Sequence, residues 1–113
     1  MRFLFLITLL LTQAHAQQWT QLKPSGNAPA PRGNAAAIYD PVAHRLVAFG
    51  GRVPGGELND VWALDLGEMR WRNITPNSGP APTPRWSHNA VYDPAAHRML
   101  VWSGRGGGMF YND

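Results

Sequence analysis

RGNAAAIYDPVAHRLVAFGG, residues 32–51, comes back as RWSHNAVYDPAAHRMLVWSG, residues 85–104, at an offset of 53 positions. Without a gap, nine of the twenty positions are identical: Arg32/Arg85, Ala37/Ala90, Tyr39/Tyr92, Asp40/Asp93, Pro41/Pro94, Ala43/Ala96, His44/His97, Arg45/Arg98 and Gly51/Gly104. The same offset lands Asn59-Asp60 on Asn112-Asp113, and Trp19 and Trp71 mark nearly the same phase, 52 apart. A period near fifty residues, in short apolar runs punctuated by turn residues, is the mark of an array of equivalent units.

The motifs within one period are Pro31-Arg32, Tyr39-Asp40, the doublet Gly50-Gly51, Leu58-Asn59-Asp60-Val61-Trp62, Leu64-Asp65 and Trp71. In this order and spacing they resemble a kelch repeat, the four-stranded blade of a β-propeller. The resemblance covers the chain from about Trp19 onward, and the second copy departs from it where the doublet reads Ser103-Gly104. It implies an all-β fold of kelch-type blades in an incomplete propeller, with an outer strand at 18–22, one blade at 32–74 and part of a second at 85–113. Closed propellers carry four to eight blades, so the chain is expected to be the N-terminal piece of a longer protein. Its partners would then include the remaining blades, in the same chain or by self-association.

Composition agrees with strands and turns. Twelve glycines and ten prolines fit short strands joined by many loops. The absence of cysteine excludes disulfides, thiol nucleophiles and thiolate metal sites. A net charge of +3 is spread as single residues rather than basic clusters, which argues against nucleic acid as a partner.

Met1–Ala16 reads as a cleaved secretory signal. Arg2 precedes an apolar run, Phe3–Leu11, and Ala14-His15-Ala16 supplies the small-x-small cleavage pattern. The run is too short to span a bilayer as a helix. The expected product begins at Gln17 and is secreted or periplasmic.

After the leader, Gln18–Leu22 aligns with Arg70–Ile74 as an outer strand with no strands of its own before it. The proline-rich stretches 23–31 and 75–84 are crossovers between blades, since proline supplies no ladder donor. Asn34–Tyr39 and Ser87–Tyr92 are inner strands, rich in small residues where strands crowd an axis. Asp40 and Asp93 open turns in which a carboxylate bonds the amides ahead of it. Leu46–Phe49 is an apolar second strand, and Asn59–Leu66 alternates as a third. Arg52–Glu57 and Arg105–Gly108 read as loops, the former a candidate for the ligand-facing surface.

The candidate ligand-binding residues are Arg32, Arg85, Trp86 and His88. A residue that recurs in every copy belongs more to the scaffold than to one site, so the two arginines are expected to bond neighbouring loops. His88, where the first copy has Ala35, is expected to make a structural hydrogen bond. Asp60 and Asp113 are expected to cap a strand through backbone bonds. Trp86 stands where the first copy has Gly33 and beside Arg85. As a non-repeating aromatic it is the best single candidate for a contact. The remaining motif residues (Tyr39, Asp40, Gly50, Gly51, Asn59, Asp60, Trp62, Trp71, Tyr92, Asp93 and Gly104) are read as structural.

No catalytic residue, metal ligand or cofactor is assigned. His44 and His97 occupy equivalent turns a blade apart and cannot converge on one ion. Gly104–Gly108 lacks the helix and the Lys-Ser/Thr ending of a phosphate loop. The function expected is a secreted scaffold that binds protein or carbohydrate partners. The alternative the resemblance implies is part of a propeller enzyme similar to sugar oxidases or sialic-acid mutarotases. The cysteine-crosslinked tyrosine of the copper oxidases has no counterpart in a chain without cysteine.

Overall fold

The computed structural model describes residues 17–113. The signal segment assigned to residues 1–16 lies outside the described residues. The first repeat folds as a four-stranded antiparallel meander: β1 (Ala36–Asp40), β2 (Arg45–Val53), β3 (Gly56–Asp65) and β4 (Arg70–Asn73), in the order β1-β2-β3-β4. The second repeat gives β5 (Asn89–Asp93) paired with β6 (Arg98–Trp102), then β7 (Arg105–Gly106) paired with β8 (Met109–Phe110). No helix occurs among the described residues, so all-β kelch-type blades are what the chain forms. The propeller is not closed.

The turn between the first two strands shows why the repeat folds as it does. Asp40 Oδ1 accepts from the amides of Val42 and Ala43, and Oδ2 from Arg45 Nε at 3.0 Å. Asp93 repeats the pattern with Ala95, Ala96 and Arg98. His44 and His97 close these turns at positive φ, 49° and 51°, and each ring Nδ1 lies within hydrogen-bonding distance of the Tyr39 or Tyr92 hydroxyl. The Tyr-Asp-Pro-x-x-His-Arg signature is therefore a self-contained hairpin closure.

Strand lengths differ from those read in the sequence. Arg52–Glu57 is not a loop: β2 and β3 run on past the doublet and pair Arg52 with Glu57 and Val53 with Gly56 around a tight turn. Arg105–Gly108 is likewise half of a hairpin, with Arg105 paired to Phe110 and Gly106 to Met109. Glycine-rich composition suggested irregular chain at both places. At Gly107-Gly108, φ of 56° and 80° instead supplies the two positive-φ positions of a tight hairpin turn. These tips sit one repeat apart, and β7–β8 is the counterpart of the far ends of β2 and β3.

The doublet joins one blade to the next. The β2–β3 register shifts between Phe49 and Gly51, and Gly50 and Gly51 take φ of 63° and 101°. This bulge turns the Gly51 amide toward the second repeat, where it donates to the Arg85 carbonyl at 2.9 Å. The Arg85 amide donates to the Leu58 carbonyl at 3.1 Å, and the Ser87 amide to the Asn34 carbonyl at 3.0 Å. A Cβ at Gly50 would lie 2.7 Å from the Arg85 carbonyl oxygen, so close approach demands glycine there. Ser103 takes the corresponding left-handed conformation, φ 64°, despite its side chain.

The buried apolar residues are Val47, Phe49, Ala63 and Leu64. Period-two alternation puts Val47 and Phe49 of β2 opposite Met99 and Val101 of β6, across a cleft also lined by Val61, Pro76 and Pro82. The other face of the second repeat, with Val91, Leu100 and Trp102, is open to solvent.

Residues 18–22 form no strand, and Trp19 is 98 % exposed, so the outer strand expected there has no sheet to join among the described residues. Ser25 instead bridges Arg70 in parallel: its amide donates to the Met69 carbonyl and its carbonyl accepts from the Trp71 amide. Trp71 itself is half-buried.

Candidate functional site

Arg32 and Arg85 occupy equivalent places and do equivalent work. Arg32 grips the Asp60 carboxylate with both terminal nitrogens, Nη2 to Oδ2 at 3.0 Å, and also donates to the carbonyls of Ala30 and Gly50. Arg85, 1 % exposed, holds Asp113 through two bonds of 2.6 Å and donates to the Ser103 carbonyl and to both oxygens of Thr83. The Tyr111 ring lies 4.7 Å from its guanidinium carbon. All five N–H donors of Arg85 and four of the five of Arg32 are engaged within the blade, so both arginines work mainly as scaffold.

Asp60 and Asp113 are thus not the backbone caps expected of them. They are the acidic halves of two fork-to-fork ion pairs, the geometry that suits arginine to a carboxylate. Partial burial alone would raise the Asp60 carboxyl, but hydrogen bonds from Arg32 and the Trp62 indole hold it below the usual range. The hydrogen bonds from Arg85 lower Asp113 in the same way, and Asp113 raises Arg85 in return.

His88 also departs from expectation. It is buried, and neither ring nitrogen has a hydrogen-bond partner among the described residues. Its ring meets Phe49 edge-on, with centroids 5.2 Å apart. Desolvation and the nearby Arg85 charge push the imidazole below its ordinary value, against a smaller opposing effect of the Phe49 carbonyl.

Trp86, half-buried, is the candidate that lines open clefts at the hairpin tips. Its backbone bridges Arg105 just as Gly33 bridges Arg52, which fixes the indole between the two hairpin tips. The guanidinium carbon of Arg52 lies 5.2 Å from the ring centroid and that of Arg105 4.6 Å; Arg105 also stands 4.9 Å from the Phe110 ring. Both cations lie within cation–π reach of one indole. Two shallow clefts meet at this indole, one lined by Gly33, Asn34 and Pro54 and the other by Glu57 and Gly108, with Arg52 in both. Neither Arg52 nor Arg105 belongs to an ion pair among the described residues. Phe110 is 80 % exposed. The tip face therefore presents two cations outside any ion pair, two aromatic rings, and the Glu57 carboxylate as the cross-strand neighbour of Arg52.

Arg52, Arg105 and Phe110 were not singled out in the sequence. Arg52 and Arg105 obey the offset of 53, one residue past the aligned window. Extending that alignment by one position is the signal that would have found them. Among the described residues no group of three or more His, Asp or Glu side chains is placed to hold a metal ion, and no helix is long and apolar enough to cross a membrane.

Comparison with known proteins agrees with this geometry. Residues 5–113 match the family model described as the KLHDC2/KLHL20/DRC7 Kelch-repeats domain. Dynein regulatory complex subunit 7 of Chlamydomonas reinhardtii is 40 % identical over 88 residues, which are 77 % of this chain and 7 % of that protein. The flagellar outer-arm dynein alpha chain of the same organism is 33 % identical over 107 residues, 86 % of this chain and 2 % of its own length. Acyl-CoA-binding domain-containing protein 5 of Arabidopsis thaliana is 34 % identical over 97 residues, 85 % and 14 % respectively. The chain therefore spans only a small part of the relatives it matches. Repeat, blade topology and family match agree: this chain belongs to the kelch-repeat family, whose domains are protein-interaction modules.

Proposed function

We propose that the chain binds a protein partner through its hairpin tips, and that the contacting segment of that partner is acidic. The observation that carries this is the pair Arg52 and Arg105, flanking Trp86 with no carboxylate committed to either. The other repeat-equivalent arginine pair at the blade's inner end, Arg32 and Arg85, is by contrast held by Asp60 and Asp113. Two guanidinium groups beside aromatic rings offer bidentate hydrogen bonding to a carboxylate and a flat apolar platform for the chain that bears it. The position at the ends of hairpins suits binding, because loop tips on a rigid sheet are free to vary without disturbing the core.

Secretion belongs to this proposal and rests on the Met1–Ala16 pattern alone. A carbohydrate partner rests on the exposed rings of Trp86 and Phe110, and the uncommitted cations favour an acidic peptide over a neutral glycan. Titration calorimetry of the chain with an acidic peptide and with its Gln/Asn counterpart separates these. The acidic peptide is expected to bind, to weaken about tenfold or more in Arg52→Ala/Arg105→Ala, and to weaken with added salt. Equal binding of both peptides, indifferent to the arginine substitutions, would overturn the proposal.

A further inference from the structure

His88 lies where the two repeats meet. Its ring packs edge-on against Phe49 of β2. A Cβ placed at Gly50 would come within 3.1 Å of its Cε1, and one at Gly104 within 2.8 Å of its Cβ. The residue is thus wedged between the doublet of the first blade and that of the second. It is two positions from Trp86, on the short segment that the Gly51–Arg85 and Ser87–Asn34 backbone bonds tie to the first repeat.

A neutral imidazole tolerates that place as a flat, mostly apolar plug. An imidazolium does not, because neither ring nitrogen has a hydrogen-bond partner among the described residues and the only acceptor near the ring is the Phe49 carbonyl, too little to satisfy two charged N–H donors. From β2 the ring meets the Phe49 ring and carbonyl and Gly50, which carry no charge; the nearby Asp60 carboxylate is held by Arg32, which also bonds Gly50. From the β6–β7 junction it meets Gly104. On its own segment stands Arg85, a like charge, whose partner Asp113 is occupied by two hydrogen bonds. Among the described residues no carboxylate near the ring is left over to stabilise a proton on it.

We propose that His88 makes the joint between the two blades acid-sensitive: its protonation loosens the segment Arg85–His88 and with it the seat of Trp86 between the hairpin tips. The inference concerns the joint, and holds whatever binds at the tip face. The direction follows from linkage. A histidine kept neutral in the folded chain but free to protonate in the unfolded chain stabilises fully above about pH 6.5. That contribution shrinks as pH falls below this value, by up to tenfold in the folded-to-unfolded ratio per pH unit, until the folded ring itself titrates.

NMR titration of the intact chain tests this, following the His88 ring and the Trp86 indole N–H, with urea unfolding at pH 7.5 and 5.5 alongside. The His88 ring is expected to titrate below 6.5, the Trp86 signal to move in the same window, and the unfolding midpoint to drop between the two pH values. In His88→Phe, which keeps a ring against Phe49 and cannot take a proton, the midpoint drop and the Trp86 movement should vanish. A His88 ring titrating at or above 6.5 in the wild-type chain would overturn the proposal without recourse to any variant. So would a His88→Phe chain that keeps the full pH response.

Discussion

Asp40 is buried, yet ionised, because its two oxygens serve three donors at once. Burial on its own would raise the carboxyl; the amides of Ala43 and Val42 and the Arg45 guanidinium outweigh it and hold Asp40 low. Removing those acceptors in Asp40→Ala leaves two turn amides and Arg45 unsatisfied, and should cost about 1–3 kcal/mol in urea or thermal unfolding. Asp60, Asp93 and Asp113 are held low too, by Arg32, Arg98 and Arg85. Since these folded-state values lie below the unfolded one, the unfolded chain protonates first on acidification. Their contribution is complete above the ordinary carboxylate value and is lost as pH falls through the folded values. The stability profile should therefore show two falls: one beginning near pH 6.5, from His88, and one below about pH 4, from the aspartates. Denaturant midpoints measured from pH 8 to pH 3 would reveal a single fall if either assignment is wrong.

At the scale of the strand and hairpin, the glycine doublet decides how blades meet. A Cβ at Gly51 would lie 3.0 Å from both the Ala35 Cβ and the Gly33 carbonyl oxygen, at a φ of 101°. Gly51→Val should therefore cost at least about 2 kcal/mol, combining left-handed strain with overpacking. Ser103 already tolerates the left-handed conformation. Ser103→Gly should relieve that strain and raise stability by up to about 1 kcal/mol, offset partly by the greater freedom of glycine in the unfolded chain. Thermal melts of both variants check the opposite signs. The doublets, the Tyr-Asp-Pro turns and the strand order were all legible in the sequence, because each depends on residues close together along the chain. The hairpin tips were not: Arg52–Glu57 and Arg105–Gly108 carry loop composition, and only cross-strand pairing makes them β. The Arg32–Asp60 and Arg85–Asp113 pairs were hidden as well. Both members visibly recur, but 28 residues separate them and only the folded blade brings them together. Trp86 was legible as the residue that breaks the repeat, and its arginine neighbours as soon as the offset is carried one position further.

Across the whole molecule, the repeat produces two ends that match. The first repeat offers the second a bulged amide at Gly51 and carbonyls at Leu58 and Asn34, and each finds its partner. The corresponding groups of the second repeat, Gly104 N–H and the carbonyls of Tyr111 and Ser87, have no such backbone bond among the described residues, nor do the Arg32 and Asn34 amides of the first. Beside that trailing edge Val91, Leu100 and Trp102 are exposed. Exposed apolar surface of this kind favours association, so sedimentation of the chain should show a mass that rises with concentration and returns on dilution. The joint itself is best tested by amide hydrogen exchange on the dilute chain, comparing positions that the offset of 53 makes equivalent. Gly51, Arg85 and Ser87 should be protected, while Gly104, Arg32 and Asn34, identical in repeat position but without a backbone partner among the described residues, should exchange rapidly. Equal exchange within the pairs Gly51/Gly104, Arg85/Arg32 and Ser87/Asn34 would contradict the blade-to-blade joint on which the fold and its tip face rest.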